Sequence, residues 1–104
     1  MPNLEKIVKA SIEARKLRTS LQAVLKSRNL SYAELEVLYV IGAGPKITPS
    51  DIATSLSQER ATISRCIKVL AAKSLINYDY DTEDRRTVFV SVSRKGKNLL
   101  NSLQ

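Results

Sequence analysis

The sequence predicts a mostly helical α+β fold that ends in a two-stranded hairpin and a short helix. Three observations lead to this prediction: a long segment without Pro or Gly whose apolar residues recur at helical spacing, two helix-forming segments separated by very little chain, and two alternating segments joined by a polar turn. With 104 residues, the chain is expected to form one domain over 1–104, divided into a first helix (3–28), a core (31–93) and a C-terminal helix (94–104).

The first predicted helix carries a heptad-like apolar seam. Its apolar or small residues are spaced alternately by three and four positions, and they are Ile7, Ala10, Ala14, Leu17, Leu21 and Val24. The same segment is rich in Lys and Arg. One interpretation is a solvated helix that packs on its own domain. A wide apolar stripe on so small a chain favours pairing with another subunit instead, so we predict that this helix forms a dimer.

Local start and stop signals define the second helix. Ser31 and Glu34 fit a capping box that opens a helix ending near Ile41. The inward stripe of this helix is predicted to consist of Leu35, Leu38 and Tyr39. The segment 42–45, Gly-Ala-Gly-Pro, then ends the helix, because glycine tolerates positive φ and proline cannot donate a hydrogen bond within a helix. Residues 46 and 47 are expected to form a brief strand.

Two further helices follow in close succession. Residues 48–51, Thr-Pro-Ser-Asp, combine a hydroxyl cap, a proline at the first helical position and a carboxylate near the positive end of the helix dipole. The helix is expected to cover 49–56, and Ser57 is expected to cap a second helix from about Gln58 to Lys73. Because so little chain separates them, the two helices predict a helix-turn-helix.

The helix predicted at 58–73 has one apolar and one open polar side. A rotation of about 100° per residue groups the apolar residues Ile63, Cys66, Ile67 and Leu70 on one side. The other side and its flanks carry small, polar and basic residues, namely Gln58, Arg60, Ala61, Thr62, Ser64, Arg65 and Lys68. On the second helix of a helix-turn-helix, such a face is typical of DNA binding in the major groove. The alternative for each residue taken alone is ordinary solvation.

Two strands are predicted at 75–80 and 87–92, and their polar linker predicts an antiparallel hairpin. Arg85 and Arg86 lie at the turn, beside Asp84. A charge-assisted pair with Asp84 can hold one arginine while the other enters a minor groove. The alternative is an internal salt bridge that only stiffens the turn. Other acidic residues nearby oppose the approach of phosphates unless the arginines project further.

Composition narrows the class of protein. The net charge is +7, with 17 Lys and Arg against 10 Asp and Glu, which favours a polyanionic partner. The chain has no His, so the commonest general base and neutral metal ligand are both missing, and its one cysteine, Cys66, falls on the apolar side of its helix. We therefore predict no enzymatic activity, no metal and no cofactor. No apolar run reaches the roughly 20 residues of a membrane span, so a cytoplasmic protein without a membrane partner is expected.

Several of these segments together resemble one known family. Asp84-Arg85-Arg86, followed by the strand 88–93 and Gly96, is similar to the wing of the MarR family of transcription regulators, which also takes in the SarA-like proteins. Thr62-Ile63-Ser64-Arg65 resembles the start of the family's recognition helix, and the resemblance covers roughly 30–100. A single helix-turn-helix match is weakly specific. The ordered combination of helices and wing is far more specific.

The resemblance implies a winged-helix regulator, commonly a repressor, that binds a palindromic site on double-stranded DNA as a homodimer. It also implies that Arg86 is the arginine of the wing. Family members form their dimer from the first helix and long C-terminal helices. Few residues follow Gly96 here, so the first helix is expected to supply most of the contact between subunits. A small-molecule effector is not favoured, because tyrosines at element boundaries are usually core. A protein-docking module and a non-specific architectural DNA-binding protein remain the alternatives.

Overall fold

The computed structural model describes residues 3–84 and 86–104. Along the chain, the elements are α1 (Leu4–Ser27), α2 (Tyr32–Gly42), α3 (Pro49–Leu56), α4 (Arg60–Ala72), β1 (Ile76–Tyr80), β2 (Val88–Val92) and α5 (Arg94–Ser102). The predicted order of helices and strands is confirmed. The chain divides into two compact units, Met1–Tyr32 and Ala33–Gln104.

The first unit consists of α1 and the turn that follows it. Asn3 caps the helix, accepting a hydrogen bond from the Lys6 N–H at 3.1 Å. At the other end, Asn29 adopts a left-handed conformation (φ 55°), and the N–H of Leu30 donates to the Leu25 carbonyl at 2.9 Å. This pairing satisfies a carbonyl that the end of a helix would otherwise leave without a partner. The left-handed residue Asn29 thus ends α1 with one of its last carbonyl groups hydrogen-bonded.

The apolar seam predicted on α1 is largely uncovered in the single chain. Ile7, Ala10, Ala14, Leu17 and Val24 are exposed, and Leu21 is half-buried. The flanking Leu4, Val8 and Ile12 are exposed as well. Exposed apolar side chains at regular helical spacing are costly in water.

The second unit has one apolar core, to which α2, α3, α4 and both strands contribute. Its most buried side chains are Val37, Leu38, Ile41, Ile52, Ile63, Leu70 and Val90. The inward stripe predicted for α2 is wrong at Tyr39, which is 60% exposed, while Leu35 is half-buried. α2 is apolar on most of its circumference, so its sequence permits several stripes. Packing selects the one that contains Val37 and Ile41.

The turn between α3 and α4 differs from the prediction. Thr48 caps α3 as expected, accepting from the Asp51 N–H at 3.2 Å, but Ser57 does not cap α4. Ser57 instead closes α3 in a left-handed conformation, with φ 52° and ψ 43°. The N–H of Gln58 then donates to the Ala53 carbonyl at 3.0 Å, and α4 begins only at Arg60. The predicted start at Gln58 is wrong because the backbone of 57 and 58 is used to end α3.

The left-handed backbone positions of the chain are occupied by residues other than glycine. No glycine has positive φ, whereas Asn29, Ser57 and Ser74 do. The expected left-handed glycine after α2 is therefore wrong, and α2 includes Gly42 as its last residue. An added β-carbon on Gly42 would lie 2.8 Å from Leu100 Cδ1 on α5, which is the flexible end of a side chain and can move aside.

The two strands form an antiparallel hairpin with Ile76 opposite Val92 and Tyr80 opposite Val88. The brief strand expected at 46 and 47 is a single bridge, in which Ile47 and Val90 exchange hydrogen bonds of 3.0 and 2.8 Å. This bridge fixes the hairpin against the segment that precedes α3. α5 begins at Arg94, where the C-terminal helix was predicted to begin, and Ser93 caps it by accepting from the Gly96 N–H at 3.0 Å.

Candidate nucleic-acid interface

α4 presents a basic and polar face to solvent. Ile63, Cys66, Ile67 and Leu70 are buried, as the spacing predicts. On the rest of the helix, Arg60, Ala61, Arg65 and Lys68 are exposed, and Thr62 and Ser64 are half-buried. Gln58 is exposed too, but it lies in the turn before α4 and not on the helix. Six of the predicted contact residues therefore lie on α4, away from its buried apolar side, and the seventh, Gln58, precedes the helix.

Two arginines on this face are held by hydroxyl groups of the same helix. Arg60 Nη1 donates to Ser64 Oγ at 2.8 Å, and Arg65 Nη2 donates to Thr62 Oγ1 at 3.3 Å. Neither guanidinium forms an ion pair with a carboxylate in the described part of the chain. Their positive charge therefore remains available to an anionic partner.

The C-terminal end of α4 is fixed by two lysines. Lys73 Nζ lies 3.0 Å from Glu34 Oε1 on α2, and both side chains are mostly buried. Lys95 Nζ donates to the Lys73 carbonyl at 3.0 Å, which places a cation at the negative end of the α4 dipole. Sequence reasoning did not find these contacts, because they join residues far apart in the chain. They fix α4 relative to α2 and α5.

The wing turn, residues 81–87 between β1 and β2, pairs Asp84 with Arg86. Asp84 Oδ1 accepts from the Arg86 backbone N–H at 3.0 Å and from Arg86 Nε at 3.2 Å. These hydrogen bonds, led by that of the backbone N–H, hold the pKa of the Asp84 carboxyl below its ordinary value. The Arg86 side chain nevertheless stays 94% exposed. The predicted pairing thus exists, and it leaves most of the guanidinium open. Arg85 lies outside the described residues.

Two further acidic residues of the hairpin, Asp79 and Asp81, accept hydrogen bonds from nearby donors. Asp81 Oδ1 accepts from the backbone N–H groups of Glu83 at 2.8 Å and Asp84 at 3.3 Å. On the strands, Asp79 Oδ2 accepts from Ser91 Oγ at 2.7 Å. These carboxylates shape the turn and the strand pair. Their charge still lowers the net positive potential of the wing.

Cys66 and three tyrosines, Tyr39, Tyr78 and Tyr80, lie outside the exposed face of α4 and the wing turn. Burial raises the pKa of the Cys66 thiol, and the carboxylate of Glu34 raises it further, so a reactive thiolate is disfavoured at this position. Tyr39, Lys97 and Asn101 help to line an open cavity of about 240 Å³ between α2 and α5. Tyr78 and Tyr80 are exposed on β1 instead. In the described part of the chain, no cluster of His, Cys, Asp and Glu could hold a metal ion.

Among residues 3–84 and 86–104, no helix has the length and apolar character needed to cross a membrane.

A helix-turn-helix with a basic outer helix, followed directly by an antiparallel hairpin, defines a winged helix-turn-helix protein. Residues 30–88 match the sequence profile of the MarR family, and the chain belongs to that family. Its members are transcriptional regulators and not enzymes.

Individual proteins that are similar to this chain support the same assignment. The chain is 35% identical over 91 residues to the uncharacterized HTH-type transcriptional regulator YwaE of Bacillus subtilis (strain 168), covering 86% of this chain. It spans only 53% of the length of that relative. A crystal structure of MarR superposes with a TM-score of 0.80 at 26% identity, over 98% of this chain and 73% of that one. An S. aureus MepR–DNA complex shares the fold, with a TM-score of 0.77 at 19% identity over 92% and 79% of the two chains.

Proposed function

We propose that this chain regulates transcription by binding double-stranded DNA with α4 in the major groove and the wing turn at the adjacent minor groove. The observation that carries the proposal is the exposed face of α4, where Arg60, Arg65 and Lys68 have no acidic partner among the described residues. An α-helix fits the major groove, and basic side chains on it neutralise phosphates and contact base edges. The apolar side of α4 is buried, so the helix can enter a groove without exposing the core.

Two further observations support DNA as the partner. The net charge of +7 favours a polyanion and would produce binding that weakens steeply with salt. One of the solved structures with this fold is a complex of S. aureus MepR with DNA. We infer that Arg86 on the wing turn contacts the minor groove or its phosphates. Its side chain is almost fully exposed, while Asp84 accepts a hydrogen bond from its backbone N–H and so restrains the main chain there.

We also propose that the protein acts as a homodimer on a palindromic site. The support for a dimer is the apolar seam of α1, on which Ile7, Leu17 and Val24 are exposed and could be covered by the same helix of a second copy. A two-fold dimer would place its two α4 helices in successive major grooves about 34 Å apart, which matches an inverted repeat. We expect repression, because a dimer of this kind would cover the DNA that it binds.

Selection from a random duplex pool tests the proposed function. The protein would be incubated with duplexes carrying a randomised central region, and the bound fraction would be sequenced over several rounds. We expect enrichment of an inverted repeat, with half-sites separated by about one helical turn. A pool without any enriched sequence would overturn sequence-specific regulation and leave non-specific architectural binding.

A second candidate function is docking to another protein through α1. The observation in its favour is the same uncovered seam, which a helix from a different protein could cover. Light scattering on the free protein separates the two cases. A dimeric mass together with duplex binding supports the regulator, whereas a monomer that binds no duplex at low salt supports docking.

A further inference from the structure

We infer that Ser64 and Thr62 are positioning residues that aim the guanidinium groups of Arg60 and Arg65, and that they are not themselves the main DNA contacts. The inference rests on the proposed function and refines it. It also revises the role expected from the sequence, in which both residues belong to the face predicted to bind DNA. The relevant observation is that each hydroxyl oxygen already accepts a hydrogen bond from an arginine.

The two pairs flank the outward face of α4 on opposite sides. With about 100° between successive residues, Arg60 and Ser64 fall on one flank of the helix, and Thr62 and Arg65 fall on the other. Ala61 lies between them, and it is exposed. Its methyl group is too short to prevent a groove from approaching the helix. The hydroxyl groups therefore hold the two cations on opposite flanks of the surface that would face DNA.

The directions of the pairs differ as well. Arg60 reaches forward by four residues to Ser64 at 2.8 Å, whereas Arg65 reaches back by three residues to Thr62 at 3.3 Å. Both guanidinium groups are thereby drawn over the first two turns of α4. Untethered arginine side chains on an exposed helix would sample many rotamers and point along or away from the axis. The pairing reduces this freedom before any DNA is bound.

A guanidinium remains able to bind DNA while it donates to a hydroxyl. Arginine has five N–H donors in a planar fork, and each pair uses one of them. The remaining donors suffice for a bidentate contact to a guanine edge or a phosphate. A half-buried hydroxyl whose oxygen already serves an arginine is poorly placed to reach a base edge on its own. The arrangement thus assigns contact to the arginines and orientation to Ser64 and Thr62.

A double-mutant cycle on Arg60 and Ser64 tests this assignment. Affinities would be measured by fluorescence anisotropy on a labelled duplex enriched from the random pool and on a scrambled duplex of equal length. We expect Ser64→Ala to weaken binding to the enriched duplex by about threefold to tenfold, the range of one net hydrogen bond. Binding to the scrambled duplex should change less, because orientation matters most for base contacts. In the Arg60→Ala background, Ser64→Ala should have no further effect.

Conservative and remote variants complete the experiment. Ser64→Thr keeps the acceptor and should restore binding to near the wild-type level. Ser102→Ala removes an exposed serine hydroxyl from α5 and should leave both affinities unchanged. Thermal unfolding of each variant checks that the fold is intact. The second pair is tested in the same way, with Thr62→Val, Thr62→Ser and Arg65→Ala.

The outcomes separate this inference from the proposed function. If wild-type protein binds the enriched duplex and the effects of Ser64→Ala and Arg60→Ala multiply independently, Ser64 contacts DNA directly and the inference is wrong. A failure of Ser64→Thr to restore binding would also contradict it. If wild-type protein binds no duplex at low salt, the proposed function itself fails, and the positioning role fails with it.

Discussion

Gly96 on α5 lies against the carbonyl group of Leu75, at a distance that leaves no room for a β-carbon. An added methyl group would overlap the Leu75 oxygen and lie 2.8 Å from Val92 Cγ2. The same carbonyl accepts from the Ser93 N–H at 3.0 Å, and Ser93 Oγ donates to the Ser74 carbonyl at 2.7 Å. These contacts join residues 74 and 75, which follow α4, to the start of α5. The glycine is therefore required for its small size, since its φ is not positive.

Replacing this glycine should destabilise the protein. We expect Gly96→Ala to lower the free energy of unfolding by about 1–3 kcal/mol, because the new methyl group must displace backbone atoms. Gly44→Ala is the matched control, since a β-carbon there meets no atom within 4 Å and the φ of Gly44 is not positive. Urea unfolding monitored by circular dichroism measures both changes. Equal effects of the two substitutions would contradict the packing role of Gly96.

Two cations on α4 should contribute differently to DNA binding. We expect Arg65→Ala to weaken binding to the selected duplex and to relax its specificity, by about 1–3 kcal/mol if the guanidinium contacts a base. Lys68→Ala should weaken binding to every duplex alike and lower the slope of log affinity against log salt by about 1. Lys16→Ala, which removes an exposed cation from α1, is the control for net charge. Titrations at several salt concentrations, together with thermal unfolding of each variant, give these quantities.

A salt slope that is unchanged in Lys68→Ala would remove this residue from the phosphate contacts. An affinity that is unchanged in Arg65→Ala would place the interface elsewhere on the protein.

The Cys66 thiol should be unreactive in the folded protein. Burial, followed by the carboxylate of Glu34, raises its pKa, so the thiolate is scarce at neutral pH and is also shielded. We expect slow modification by Ellman's reagent in buffer and rapid modification after unfolding in guanidinium chloride. Ser102→Cys introduces an exposed thiol on α5 and should react rapidly without denaturant. Rapid reaction of Cys66 in the folded protein would show that this region opens readily.

The order of the wing turn should depend on the ionisation of Asp84. Its folded-state pKa is lowered, chiefly by the Arg86 backbone N–H and then by the Arg86 side chain. The stabilisation is therefore fully present above the unfolded-state pKa and is lost as the pH falls through the folded-state pKa. We expect the protection factor of the Arg86 amide, which corrects its exchange rate for the intrinsic pH dependence of amide exchange, to fall as the Asp84 carboxyl is protonated, as measured by NMR.

Asp84→Asn should abolish this pH dependence, because it removes the titrating group. Glu83→Gln, at the exposed neighbouring position, should preserve it. An Arg86 amide whose protection factor is the same at all pH values in the wild-type protein would show that Asp84 does not order the wing turn.

The parts of the fold that could be predicted depend on local patterns. The buried side of α4 follows from the spacing of Ile63, Cys66, Ile67 and Leu70, because a helix rotates by a fixed angle per residue. The cap of α3 at Thr48 follows from a hydroxyl before a proline, and the hairpin follows from alternation around a polar turn. The candidate face of α4 was predicted for the same reason as its buried side.

The predictions were wrong where the local sequence is compatible with more than one arrangement. Ser57 is a good helix cap by residue type, yet it closes α3 in a left-handed conformation, and α4 starts three residues later. Tyr39 fits an apolar stripe, yet it is exposed, because α2 offers more apolar residues than the core can contact. In both cases the sequence allows two arrangements, and the packing of neighbouring elements selects one.

The sequence by itself determined the order of the elements, the buried side of α4 and the concentration of basic residues on its other side, because these depend on spacing and charge within short segments. Only the tertiary structure decided that Lys73 pairs with Glu34, that Gly96 contacts Leu75 and that hydroxyl groups hold the arginines of α4. The first two join residues that are distant in sequence. The third depends on side-chain rotamers, which spacing alone does not specify.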